Sequence, residues 1–182
     1  MNIVLIGYRC TGKTSVGRGI SERLRIPFYD TDDLIKEHTG KTIKEIVDDG
    51  GWEAFRTEEK AVIRGLPSSE DAVISVGGGA VMDIENREAL KRSGLFLWFT
   101  ADVDTILERM KDDRTGDEKR PPLSRSGLER EISEILKQRT PIYRQLADFT
   151  IDTAGKEIEA IADEVSHLLT LEIRGLPRAT PG

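Results

Sequence analysis

Residues Gly7-Tyr8-Arg9-Cys10-Thr11-Gly12-Lys13-Thr14 read G-x-x-x-x-G-K-[ST], and few patterns this short constrain a fold so tightly. The pattern holds phosphate only where a buried strand runs into a tight turn and the turn into a helix. Here Ile3-Val4-Leu5-Ile6 supplies the apolar run before it, and Val16, Ile20 and Leu24 supply helical spacing after it. The chemistry is mostly backbone. Such a turn points unpaired N–H groups inward and adds the positive end of the helix dipole, which together hold a polyphosphate. Lys13 can reach the β- and γ-phosphates, and the Thr14 hydroxyl can ligate Mg²⁺. The motif points to a nucleoside triphosphate, with Gly7, Arg9, Cys10, Thr11, Gly12, Lys13, Thr14 and Ser15 as the candidate binding residues.

A strand–turn–helix of this kind belongs in an α/β sheet, and the rest of the chain fits one. Strand-like runs recur at Ile3–Ile6, around Phe28-Tyr29, at Ala72–Val76, at Leu95–Phe99 and at Phe149–Ile151, with helical patterns between them. That alternation predicts a mostly parallel sheet covered on both faces. Thr42-Ile43-Lys44-Glu45 reads as a capping box opening a short helix with Ile43, Ile46 and Val47 inward. Gly50-Gly51 stops it, and another helix is expected from Trp52 to about Arg64. Val103, Ile106, Leu107 and Met110 make the stripe of a further helix; Ile132, Ile135 and Leu136 make the next, with Pro141 at a boundary or kink. Ile158, Ile161, Ala162, Val165, Leu168 and Leu169 give the last. Asp112 to Arg125, crowded with charge, glycine and Pro121-Pro122, is a candidate lid. The expected organisation is one domain over 1–172, with a disordered tail over 173–182.

At 182 residues the chain can bury a core without disulfides, and a net charge of −6 argues against a general nucleic-acid binder. No stretch approaches membrane-spanning length, and the N-terminus enters a strand pattern directly, so neither a membrane partner nor a signal peptide is expected. The one cysteine, Cys10, suits a reducing cytoplasm, and without a histidine nearby in sequence it reads as a loop filler rather than a nucleophile.

Four further blocks carry a resemblance over roughly Ile3 to Leu169. They are Phe28-Tyr29-Asp30-Thr31-Asp32 with the Gly40-Lys41-Thr42-Ile43 turn; Gly51-Trp52-Glu53-Ala54-Phe55-Arg56-Thr57-Glu58-Glu59; Ser75-Val76-Gly77-Gly78-Gly79-Ala80-Val81; and Arg120-Pro121 with Arg139-Thr140-Pro141-Ile142-Tyr143. With the phosphate loop, and in this order, they resemble the shikimate kinases. The resemblance implies a three-layer α/β/α P-loop kinase with a five-stranded parallel sheet in the order 2-3-1-4-5. It implies transfer of the γ-phosphoryl of ATP to the 3-hydroxyl of shikimate with Mg²⁺, by a cytoplasmic monomer.

The resemblance also assigns roles. Asp32 goes to the acceptor hydroxyl, as positioning group or general base, and Asp30 to Mg²⁺ through water. On an extended strand, residues i and i+2 point the same way, so both carboxylates are expected to face one site. Arg56 and Arg139 match the positions that clamp the substrate carboxylate, a task suited to the guanidinium fork. Glu59, three residues on from Arg56, is expected to orient it. Gly77, Gly78 and Gly79 would lie under the substrate ring and offer N–H donors, with Ser75 at the Walker-B-like position near Mg²⁺. Arg120 matches the lid arginine that reaches the transferring phosphoryl group. Arg109 is the candidate to stack on adenine, with the loop after Asp152 on the other side of the base. The chain departs from the family in two places: Trp52 stands where the family has glutamate, and Arg120-Pro121-Pro122-Leu123 replaces Arg-Pro-Leu-Leu in a longer lid. A gluconate kinase-like enzyme and a regulatory nucleotide-binding module are the rival readings. His38 and His167 acquire no role.

Overall fold

A computed structural model describes residues 1–67, 71–92, 94–112 and 125–173. The chain opens with β1 (Asn2–Ile6), buried along its whole length, which runs into the phosphate loop and helix α1 (Lys13–Leu24). Next come β2 (Phe28–Asp30), α2 (Thr31–Thr39), α3 (Ile43–Arg64) and β3 (Val73–Ser75). A short 3₁₀ turn (Ala80–Met82) leads into α4 (Ile84–Lys91) and β4 (Gly94–Thr100). The chain continues through α5 (Val103–Asp112), α6 (Arg125–Leu146), β5 (Phe149–Asp152) and α7 (Ile158–Ile173).

Among the described residues the strands form one sheet in the order β2-β3-β1-β4-β5, and every recorded pairing is parallel. The strand periodicity explains the layers. On β1, Ile3 and Leu5 point into a core shared with Val16 and Ile20 of α1 and Ile161, Val165 and Leu169 of α7. Val4 and Ile6 point the other way, onto Ile63 of α3, Leu90 of α4 and Tyr143 and Leu146 of α6. Both faces of the sheet are therefore buried, as parallel sheets require. Two satellite clusters brace the edges of the site: Tyr8 with Ile106, Leu107 and Ile132, and Ile35 with Ile46 and Phe55.

The capping box at Thr42 forms as its sequence dictates, with Thr42 Oγ1 accepting the Glu45 N–H and Glu45 accepting the Thr42 N–H at 2.7 Å. The expected interruption after it is a single residue, Gly51, with φ 70° and ψ −178°, so the two short helices are joined across a kink. Pro141 brings no boundary: α6 runs through it to Leu146, one intrahelical hydrogen bond short. Ile158 is exposed at the first turn of α7 rather than part of its buried stripe, which begins at Ile161. The segment 113–124, most of the candidate lid with Arg120 in it, and the tail from 174 onward lie outside the described residues.

Candidate active site

The C-terminal edge of the sheet gathers the charged residues that the sequence singled out within the described part of the chain. Gly7 leaves β1 with φ 142°, and a Cβ there would stand 2.4 Å from the Phe99 carbonyl oxygen, so no larger residue fits the turn. Cys10 and Gly12 also take positive φ, and the Thr11 hydroxyl donates to the Tyr8 carbonyl at 2.7 Å. The loop thus hands the chain to α1, whose first N–H groups have no partner within the helix. Lys13 is buried, its Nζ donating to the carbonyls of Gly7 (3.0 Å) and Tyr8 (2.7 Å). Burial lowers the Lys13 pKa to about 8, against the opposing pull of the Asp32 and Asp30 carboxylates. Thr14 and Ser15 are exposed on the first turn of α1.

The two aspartates are placed differently from the extended geometry expected. β2 ends at Asp30, and Asp32 already lies in the first turn of α2. Asp30 is the helix N-cap: its Oδ1 accepts the Asp32 N–H at 3.0 Å, while Oδ2 accepts the Thr14 hydroxyl at 2.8 Å. A helical turn, not strand alternation, brings both carboxylates beside Lys13. The Thr14–Asp30 pair presents adjacent hard oxygen donors, a set that suits Mg²⁺. Ser75, at the end of β3, sits in register with both Asp30 and Leu5.

Asp32 is held near neutrality. Burial, then the Asp30 and Glu59 charges, push its pKa up to about 6, while Lys13 and Lys36 oppose the rise. Its Oδ1 is buried and has no hydrogen-bond partner among the described residues. Glu59 Oε1 is in the same condition, while its Oε2 accepts from Arg56 Nη1 at 2.5 Å. Burial raises the pKa of Glu59, and the Arg56 charge and hydrogen bond work against it. The expected orienting role of Glu59 is visible here. Arg56 also lies 5.1 Å from the Phe55 ring centroid and 6.0 Å from that of Trp52. Trp52, the departure from the family pattern, packs edge-on against Phe55 and borders the guanidinium.

Gly77, Gly78 and Gly79 are the floor on which these groups meet. A Cβ on Gly77 would stand 2.9 Å from Glu59 Oε1 and 3.1 Å from Asp32 Oδ1. On Gly78 it would meet the Gly7 carbonyl at 3.2 Å, the Arg9 N at 3.4 Å and Arg139 Nη1 at 3.5 Å. On Gly79 it would meet Arg56 Nη2 at 2.4 Å. The absent methyl groups make room for two carboxylates and two guanidiniums, and bring the floor against the phosphate loop. Gly77 is not the free donor expected, because its N–H is given to Thr31 Oγ1 at 3.1 Å.

The family's sequence model, Shikimate kinase, matches residues 9–170. The shikimate kinase of Syntrophus aciditrophicus is 44% identical over 172 residues, spanning 90% of this chain and 88% of the relative. That of Pelotomaculum thermopropionicum is 39% identical over 92% of this chain and 95% of its own. The structure of the Acinetobacter baumannii shikimate kinase in complex with shikimate superposes with a TM-score of 0.84 at 35% identity, covering 94% of this chain and 93% of that one. The chain belongs to the shikimate kinase family.

Within this shikimate kinase fold, sequence reasoning missed Thr153 and the contacts by which Arg109, named only for the base, ties the site together from afar. Arg109 donates to the Cys10 carbonyl (3.3 Å) and to Thr153 at Oγ1 (3.0 Å) and the carbonyl (2.7 Å), lacing the phosphate loop to the segment after β5. Thr153 is fully buried, and its hydroxyl lies 3.1 Å from the Thr11 carbonyl. Nothing local marks Thr153, since its partners are distant in sequence. Tyr143 was visible only as the end of a motif. No helix among the described residues is long and apolar enough to cross a membrane.

Proposed function

We propose that this site transfers the γ-phosphoryl of ATP to the 3-hydroxyl of shikimate, with the residues above in the following roles. Backbone N–H groups of the loop Gly7–Thr14 and the Lys13 ammonium hold the polyphosphate and neutralise charge that moves during transfer. Thr14 and, through water, Asp30 would hold Mg²⁺, which when bound supplies charge neutralisation on the phosphate oxygens. Arg56, fixed by Glu59, and Arg139 clamp the acceptor carboxylate. Asp32 accepts the hydrogen bond of the reacting hydroxyl, and a carboxyl near neutrality is suited to holding or taking that proton. Arg120, placed by the sequence resemblance alone, serves the moving phosphoryl group, and Arg109 serves the base. Positioning and charge neutralisation carry most of such a reaction, since it needs little covalent chemistry from the protein. In this reading the enzyme is a monomer of the cytoplasm, a compartment its single cysteine suits.

The observation that carries this reading is the glycine floor. A pair of guanidiniums, Arg56 and Arg139, and two carboxylate oxygens without a hydrogen-bond partner among the described residues, Asp32 Oδ1 and Glu59 Oε1, converge on it, and Gly78 places it against Gly7 and Arg9 of the phosphate loop. An acid bearing a hydroxyl fits that arrangement. The test is ADP release from Mg²⁺-ATP with shikimate, with gluconate as parallel acceptor, and without either. Strong stimulation by shikimate alone is expected. Stimulation by gluconate instead would move the chain to the other acceptor class, and ATP turnover indifferent to both would leave only the phosphate half standing.

A further inference from the structure

Tyr143 ends the motif that carries Arg139, and its own side chain has no role in the site described above. It is 1% exposed, and its ring packs among Val76, Ala80 and Val81 and 6.0 Å from the Trp98 ring centroid. A buried phenol of this kind serves as core filler unless its hydroxyl is engaged. Here it is engaged twice. The hydroxyl donates to the Gly78 carbonyl, and the phenol oxygen accepts from the Arg139 guanidinium. Burial raises the phenol pKa, and the Arg139 charge and hydrogen bond counter it, so the group stays a neutral donor to Gly78.

Helix geometry explains why one side chain can do both. Tyr143 follows Arg139 by four residues, and the two share a face of α6 one turn apart. That face looks onto the glycine floor, where Gly78 stands between Arg139 on one side and Gly7 and Arg9 of the phosphate loop on the other.

We infer that Tyr143 is a positioning residue for phosphoryl transfer: its hydroxyl locks Arg139 to the Gly78 carbonyl and so sets the carboxylate clamp at a fixed height above the floor. The inference rests on the assignment of Arg139 to the acceptor carboxylate. A guanidinium on a long flexible stem loses rotamer freedom when it binds, and a partner that orders it beforehand improves binding of the acid without touching it.

The test uses the full chain in three single variants and one double. Tyr143→Phe keeps the ring and removes the hydroxyl; it is expected to raise the KM for shikimate roughly tenfold, the effect of one hydrogen bond in a charged network, with the KM for ATP within about twofold. Arg139→Lys, which removes the fork, is expected to raise the shikimate KM by at least as much, and Tyr143→Phe added to it should do little more. Trp98→Phe, which disturbs the packing of the phenol but leaves its hydroxyl, is expected to change neither KM. An unchanged shikimate KM in Tyr143→Phe, with Arg139→Lys impaired, overturns the inference and leaves the carboxylate clamp standing. Equal rises in both KM values, or the same defect in Trp98→Phe, reduce Tyr143 to core filler. An Arg139→Lys enzyme with normal shikimate KM overturns clamp and inference together.

Discussion

The phosphate loop and the glycine floor face each other across a few ångströms and are built on opposite plans. The loop is contiguous, and its internal bonds are local: Lys13 to Gly7 and Tyr8, Thr11 to Tyr8. The floor contributes little of its own. It is a place where the chain carries no Cβ, so that side chains from the β2–α2 junction, α3 and α6 can come together. One half works by what its backbone presents and the other by what its backbone lacks. The loop's backbone is completed by one charged side chain, Lys13, whose deletion should break it, and the floor should fail when a methyl group is added.

Lys13→Ala is the largest expected break. Loss of a preorganised charge at the transferring group should lower kcat by about a thousandfold or more in steady-state assays. The fold should persist, because burial already disfavours the charged ammonium there. A variant that retains a tenth of its turnover would remove Lys13 from the transition state.

Gly79→Ala tests the opposite plan. Its φ of −101° suits alanine, so the backbone is not strained, but the new methyl would stand 2.4 Å from Arg56 Nη2. Because that atom is the far end of a flexible side chain, the guanidinium moves and the protein stays folded. The expected result is a shikimate KM higher by roughly ten- to thirtyfold, with the ATP KM and the melting temperature nearly unchanged. Parallel rises in both KM values would mean that floor and loop are one unit, and the comparison would fall.

The same contrast sorts what the sequence revealed. The phosphate loop, the sheet, the Thr42 capping box and the break at Gly51 are legible because each is written in a few adjacent residues obeying local rules. The aspartate pair was read correctly as facing one site but through the wrong geometry, since α2 begins at Thr31 and turns Asp32 on a helix rather than a strand. The N–H of Gly77 was read as available, and only the fold shows Thr31 taking it. Thr153 leaves no local trace because a distant backbone gives it its partners, and Tyr143 shows as part of a motif without its bond to Gly78. Glycine in a row signalled close approach, but not which charged groups would approach.

The pH dependence of turnover separates the halves more finely. If the Asp32 carboxylate is the active form, protonation removes it, and kcat/KM for shikimate should fall about tenfold per pH unit below about 6, where its pKa is pushed by burial and by Asp30 and Glu59. In Glu59→Gln one of those like charges is gone, and the acid limb should move to lower pH. An acid limb that stays in place would assign it to another group.

The smallest effect, and the one that reads the site through stability alone, comes from Asp32→Asn. The carboxyl rises from an ordinary 3.8 to about 6 in the folded chain. The folded state therefore holds the proton more tightly than the unfolded one. Ionisation carries no folding penalty below about 3.8, an increasing one between 3.8 and 6, and the full one above. That full penalty has a ceiling of about 3 kcal/mol, and the true figure is smaller because Asp32 is also the foremost charge supporting the Lys13 ammonium. A net gain of about 1 kcal/mol would raise Tm by roughly 2–4 °C at pH 8 for a domain of this size, and by less at pH 4.5. Thermal melts at the two pH values check it. A catalytic carboxylate held against its own solvation makes the protein less stable than its inactive variant; an asparagine that lowers Tm equally at both would show Asp32 to be a structural anchor instead.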